Sequence, residues 1–266
     1  MQENNIPFLE GNLQYFKIGT GAPIVLVHGF GEDASLWNQH AALLSDQYQL
    51  IIPNLPGTGE SSTFSDLSIY TLAESIKTII DVEQIDQVTV IGHSMGGYTT
   101  LHFAERYPQN LNGMGLYHSS AFADTTEKIE IRKKGIEFIK KNGAKKFLDS
   151  IAENLFSNYT KENNRPIINN YIAQTPYFTD DAVINYYHAM INRTEKTAVL
   201  NNSSIPTLFI VGKEDKAVPV SDTMQQIHLP NTSFITILNH VGHLGMYESF
   251  ERCHQSLVQF LNYCNP

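Results

Sequence analysis

Between residues 23 and 261 short apolar runs of strand length alternate with amphipathic stretches of helix length, and this constrains the fold more than any other feature of the 266-residue chain. PIVLV (23–27), QLIIPN (49–54), QVTVIG (87–92), a weaker LNGMGLYHS (111–119), PTLFIVG (206–212) and SFITIL (233–238) read as strands. Helices are predicted over 35–46 and 70–82, after the third run up to Pro108, between the last two strands, and over 244–261. Strands joined by helix-length crossovers pair in parallel, so the expected fold is a mostly parallel α/β sheet with helices on both faces. The N-terminal PFLEGNLQYFKIG reads as a hairpin turning at Gly11-Asn12. Residues 121–200 break the rhythm: they contain no convincing strand, and Phe147, Leu148, Ile151 and Leu155 share one helical face. The predicted organisation is a core of residues 1–120 and 201–266, interrupted by a helical lid insert, 121–200.

Composition removes several function classes. Lys plus Arg number 18 against 27 Asp plus Glu, a net charge of −9, which argues against a broad nucleic-acid or anionic-membrane surface. No apolar run approaches the ~18 residues of a membrane span, and MQENNIPFLEGN has no basic segment leading into an apolar one, so a cytoplasmic protein is expected. Cys253 and Cys264 fall on one predicted helix, ~16 Å apart at ~1.5 Å per residue, and are read as buried free thiols.

Gly92-His93-Ser94-Met95-Gly96 is G-x-S-x-G set between a predicted strand and a predicted helix. Glycines at both ends let the chain reverse sharply and hold Ser94 at a helix N-terminus, where free N–H groups stabilise developing negative charge. A helix-capping serine beside packing glycines explains the bare motif about as well; the strand-turn-helix context favours a nucleophile. With His28-Gly29-Phe30-Gly31 after the first parallel strand, the sequence resembles the α/β-hydrolase family from HGFG to the last helix. The resemblance implies an α/β-hydrolase sheet and a triad in the order Ser, acid, His. Asp215, after PTLFIVG, and His243, after SFITIL, match that order. An isolated Asp or His would ordinarily be turn chemistry or a satisfied core residue; three matches in sequence reverse that. Asp124, after LNGMGLYHS, and Glu214 are the minor candidates for the acid.

The resemblance also assigns the oxyanion hole to the backbone N–H groups of Phe30 and Met95, and gives His28 a structural role. Phe30 is a candidate for lining the substrate pocket. His118, at a strand end, could contact substrate, although a hydrogen-bonded structural histidine is the stronger reading. Trp37 is read as core. Asn54 stands where relatives often carry Asp, and can still turn the loop by hydrogen bonding. The Ser94 elbow argues against the branches that need an Asp nucleophile. A phosphate-cradling glycine loop fails for want of a third glycine and a following helix, and the ten histidines show no HExxH or other ligand spacing, so no cofactor and no metal are expected.

The expected function is a serine hydrolase that cleaves a carboxylic ester through an acyl-enzyme on Ser94. The same triad could instead serve a thioester, a lactone, a carbon–carbon bond, or a methyl ester borne on a carrier protein; a non-catalytic ligand-binding protein on this fold is the reading from another class. Twelve of the 18 basic residues lie between 121 and 200, against ten of the 27 acids, and eight of them crowd into 128–146. A solvated helix face is the ordinary explanation, and attraction of an anionic or carrier-bound ester the sharper one. The partner expected is a small-molecule ester, with no nucleic acid and no membrane; the oligomeric state is left open.

Overall fold

The computed structural model describes residues 1–265. Eight strands form one sheet: β1 (Gln2–Phe8), β2 (Gly11–Ile18), β3 (Ala22–Val27), β4 (Tyr48–Pro53), β5 (Val88–His93), β6 (Leu111–Tyr117), β7 (Thr207–Gly212) and β8 (Ser233–Leu238), in the spatial order β1-β2-β4-β3-β5-β6-β7-β8. The pairs β1/β2 and β2/β4 are antiparallel and the rest parallel. The interior runs were strand-like because both faces are covered, whereas β8 is an edge strand with Ile235 exposed. Along β3, Val25 and Val27 enter the core under the helices Ile69–Val82 and Met95–Arg106, whereas Ile24 and Leu26 pack with Trp37, Leu257 and Phe260 on the other face. In β7, Phe209 and Val211 divide from Leu208 and Ile210 in the same way, so a period of two is hidden inside a continuous hydrophobic run.

Two expectations shift. The hairpin turns at Leu9-Glu10, with Phe8 opposite Gly11, not at Gly11-Asn12. Gly11 serves close approach instead: a Cβ there would lie 2.5 Å from Ser62 Cβ, and the Asn12 amide N–H donates to Ser62 Oγ at 3.0 Å. The last helix is two pieces, Gly245–Glu248 and Phe250–Cys264, broken at Ser249. The short piece carries Glu248, whose carboxylate accepts from Gly242 N, Ser157 N and Thr160 Oγ1 at 2.7, 2.9 and 2.7 Å. Propagating an uninterrupted helix would forgo that cross-tie.

Between β6 and β7 the chain is helical, in the segments Thr126–Asn142, Ala144–Ala152, Asn158–Asn163, Arg165–Ala173, Asp180–Ile191 and Thr197–Asn201. It is tied down at its base: His243 N donates to Leu155 O at 2.7 Å, and Tyr186 Oη to Pro56 O at 2.8 Å. Among the described residues no helix is long and apolar enough to cross a membrane, and both cysteines are free, their thiol pKa values each pushed up to about 12 by burial.

Candidate active site

Ser94 stands between β5 and the Met95–Arg106 helix with φ 51° and ψ −116°, a left-handed conformation that costs an L-residue energy. Its neighbours force the turn. A Cβ on Gly92 would come within 2.1 Å of Gly96 O, and one on Gly96 within 2.4 Å of Val27 O, so only glycine lets the helix start this close to β3 and β5. Ser94 N donates to Tyr117 O at 3.0 Å and Ser94 O accepts from Ser119 Oγ at 2.7 Å, which pins the strained backbone. The Ser94 hydroxyl has no hydrogen-bond partner among the described residues and opens on a cavity of about 140 Å³ that His243 also lines.

His243 Nδ1 donates to Asp215 Oδ2 at 2.7 Å, which turns Nε2 away from the carboxylate. Asp215 Oδ1 accepts from Ala217 N and Val218 N, both at 2.8 Å. Burial opposes its ionisation but is outweighed by His243 and, after it, His118, so the carboxyl stays well below the usual range. The other acids are engaged elsewhere. Asp124 is an internal counter-ion, with its Oδ2 2.6 Å from Arg132 Nε and its Oδ1 2.8 Å from Arg193 Nη1. Glu214 Oε2 accepts from Asn158 N at 2.8 Å at the foot of the helical segment.

His118 does not reach the cavity and cannot touch substrate from where it lies: it is 2 % exposed, behind Asp215. Its Nε2 accepts from Gly245 N at 3.2 Å, so Nδ1 carries the proton and faces Asp215 Oδ2 at 3.5 Å. Burial pushes its pKa down to about 4, with Asp215 only partly offsetting it. Phe30 does line the cavity and stacks on Tyr187, with ring centroids 4.5 Å apart and planes 4° apart. The Phe30 and Met95 N–H groups have no acceptor among the described residues. His28 is structural, with Nδ1 donating to Gly29 O at 2.8 Å and Nε2 accepting from Leu55 N at 3.1 Å. Asn54 Oδ1 accepts from Ala34 N at 2.9 Å, joining the two loops that flank the site.

One buried pair escaped the sequence reading. His93, the residue before Ser94, sets Nδ1 2.8 Å from Glu32 Oε2 and Nε2 2.9 Å from His243 O. The same Glu32 oxygen accepts from Gly29 N at 2.7 Å. Both imidazole nitrogens face acceptors, so the ring is doubly protonated: burial disfavours the charge, but Glu32 outweighs it and raises the His93 pKa, while His93 lowers that of Glu32. This ion pair ties together the HGFG loop, the elbow and the His243 loop. The only signal was a Glu two residues beyond Phe30, 61 positions from its partner.

The sheet order, the crossovers and this strand-turn-helix elbow are those of the α/β-hydrolase fold, and residues 22–134 match the family described as alpha/beta hydrolase fold. Over its whole length the chain superposes on a thermophilic esterase from Thermogutta terrifontis (malate bound), with a TM-score of 0.92 and 25% identity, covering 100% of both chains. It is 25% identical over 282 residues to a 2-hydroxy-6-oxononadienedioate/2-hydroxy-6-oxononatrienedioate hydrolase of Paraburkholderia phymatum, covering 95% of this chain and 91% of that one. An uncharacterized protein of Mycobacterium bovis is 35% identical over 103 residues, which span 38% of this chain and 30% of that relative's length.

Proposed function

We propose that the chain is a serine hydrolase that cleaves a carboxylic ester, with Ser94 as nucleophile, His243 as base, Asp215 as its carboxylate, and the Phe30 and Met95 amides as the oxyanion hole. The observation that carries this reading is the shared cavity: a serine held at positive φ on a helix N-terminus opens on it beside a histidine whose far nitrogen is committed to a buried carboxylate. Ser94 Oγ forms a bond to the ester carbonyl carbon while its proton passes to His243 Nε2. Negative charge gathers on the carbonyl oxygen, where the two amides meet it. The carbon–alkoxide bond then breaks and His243 returns the proton to the leaving alkoxide. A water molecule repeats the sequence on the acyl-enzyme, giving its proton to His243, and the acid leaves as Ser94 recovers a proton.

In this reading residues 121–200 act as a lid. Leu148, Ile151, Leu155, Tyr171 and Tyr187 from that segment line the cavity opposite Ser94 and exclude water from the acyl-enzyme. A wider groove of about 610 Å³ shares Gly31, Glu32, Tyr171 and Thr175 with the cavity and offers a way in. The full-length similarity to the Paraburkholderia hydrolase favours one second reading, hydrolysis of a carbon–carbon bond by the same residues. A fluorophosphonate probe should label wild-type protein and not Ser94→Ala, and activated short-chain esters should lose at least a thousandfold in kcat in that variant. Absent labelling of the folded wild type would overturn the serine mechanism. Labelling with turnover of vinylogous diketo acids and none of esters would select the second reading.

A further inference from the structure

The dense basic run at 128–146 suggested that the helical segment attracts anions, and the structure divides that run in two. Lys133, Lys140 and Lys145 are more than half exposed and pair along their own helices with Glu130, Glu137 and Asp149 at 2.8, 2.9 and 2.6 Å. None of them lines the cavity. Arg132 does, although it is on the same helix as Lys133. Its Nε and Nη2 donate to Asp124 Oδ2 and Oδ1 at 2.6 and 3.3 Å, and its guanidinium lies over the Tyr187 ring, 5.4 Å from the centroid. Nη1 is left with no hydrogen-bond partner among the described residues.

The charges around it do not cancel. The Asp124 side chain is fully buried and faces two arginines, Arg132 and Arg193. Arg193 is spent on structure: Nη1 also donates to Met190 O at 2.9 Å, Nη2 to Phe122 O at 3.0 Å, and its guanidinium sits 3.9 Å from the Tyr98 centroid. One carboxylate therefore serves two cations, Arg193 buried and Arg132 partly exposed, and Arg132 is the one that also lines the Ser94 cavity. Burying a charge without a partner is costly, and a guanidinium offers a planar donor edge that suits a carboxylate. The nearby acids do not supply that partner. Glu32, the other charged group lining the cavity, is taken by His93 and Gly29 N, and Asp215 by His243 and two amides.

We infer that Arg132 reads an ionised carboxylate on the substrate, so that the ester hydrolysed at Ser94 is a short one bearing a second, free carboxylate in its acyl or its alcohol part. This rests on the ester-hydrolase reading for its catalytic consequence, while the binding site itself does not need it. Arg132 lines the cavity that Ser94 and His243 share and not the groove, so the carboxylate enters with the reacting end of the molecule. Asp124 acts as a positioning residue, holding two guanidinium nitrogens and leaving the third free to donate.

The deciding measurement is calorimetric titration of succinate and of its uncharged diamide into wild-type protein, Arg132→Gln, Arg132→Lys and, as an exposed control, Lys133→Gln. Succinate should bind the wild type and Lys133→Gln alike, at least ten times more tightly than the diamide, and lose ten- to a hundredfold in Arg132→Gln with partial recovery in Arg132→Lys. Equal affinity across the four proteins, or no binding to the wild type, overturns the inference whether or not esters are cleaved. If Arg132→Gln fails to fold, wild-type preference for succinate over the diamide, with inhibition competitive against methyl pentanoate, replaces it; no preference overturns the inference. Turnover then locates the carboxylate. The ratio of kcat/KM for monomethyl succinate to that for methyl pentanoate falls in Arg132→Gln if it sits on the acyl part, and the ratio for 3-acetoxypropanoate to butyl acetate falls if it sits on the alcohol part. Fluorophosphonate labelling that persists while both ratios stay unchanged sinks the inference and leaves the serine mechanism standing.

Discussion

The two walls of the cavity are built on different principles. On the sheet side each group assigned to the proposed chemistry is fixed from behind: Ser94 by a strained turn and by hydrogen bonds to its own N–H and carbonyl, His243 by Asp215, and the loops that carry them by the His93–Glu32 pair. On the helical side the lining is mostly apolar or aromatic, from Leu148 to Tyr187, with Arg132 as its one cation among the described residues. The proposed proton transfer tolerates little displacement, and the groups assigned to it sit at strand ends in a buried hydrogen-bonded frame. The proposed shape and charge selection tolerates more, and the groups assigned to it sit on helices whose outer faces are exposed to solvent. The walls are nonetheless joined, because Leu155 O and Glu248 tie the foot of the helical segment to the His243 loop.

If that contrast holds, damage should grade with depth on the sheet side. Asp215→Asn should cost about 10³- to 10⁴-fold in kcat, since the amide offers His243 Nδ1 either a weaker acceptor or a competing donor and the wrong tautomer results. Steady-state kinetics on a neutral ester checks it, and a loss under tenfold would break the assignment of the acid. Glu32→Gln comes next. It leaves His93 without its counter-charge in a fully buried site and should destabilise the fold by about 3 kcal/mol in chemical denaturation, with the His93 pKa falling in an NMR titration. An unchanged denaturation midpoint would show that the pair holds nothing together.

His118→Asn tests the support behind Asp215 through its pH dependence. With its native pKa pushed down to about 4, His118 stays neutral in the fold while the unfolded chain binds a proton near pH ~6.5. Between those values the unfolded state holds more protons, so stability falls as the pH drops through this window, by at most ~1.4 kcal/mol per pH unit, and this contribution is fully present above it. The variant should show a shallower slope from pH 6.5 to 4. His40, which burial takes down to about 3, is common to both proteins and cancels in the comparison. The smallest effect belongs to the outer helical face: Lys145→Ala, which removes an exposed pair with Asp149, should change stability by less than about 0.5 kcal/mol. A larger loss would mean that the outer face does structural work like the inner one.

The strand order was legible because a parallel sheet covered on both faces writes itself as apolar runs separated by crossovers, and all six of those runs are strands. The elbow was legible for a related reason: a backbone this tight admits only glycine at 92 and 96, and steric exclusion leaves its mark in local sequence. The shifted hairpin and the broken last helix were not, because their causes lie at Ser62, Ser157 and Thr160, far along the chain. The same limit hid the Glu32–His93 pair and left Asp124 and Glu214 in contention with Asp215.

Local sequence thus determined the alternation of elements and the tight turn at Ser94, since each follows from sterics or spacing within a few residues, whereas the order of acid and histidine after it came from the family resemblance. The tertiary structure decided which carboxylate meets His243, that His118 stands behind that carboxylate rather than before the substrate, and that among eight crowded basic residues Arg132 lines the cavity. Those outcomes depend on burial and on partners brought together from distant parts of the chain, and a charge has no assigned role until the fold settles what compensates it.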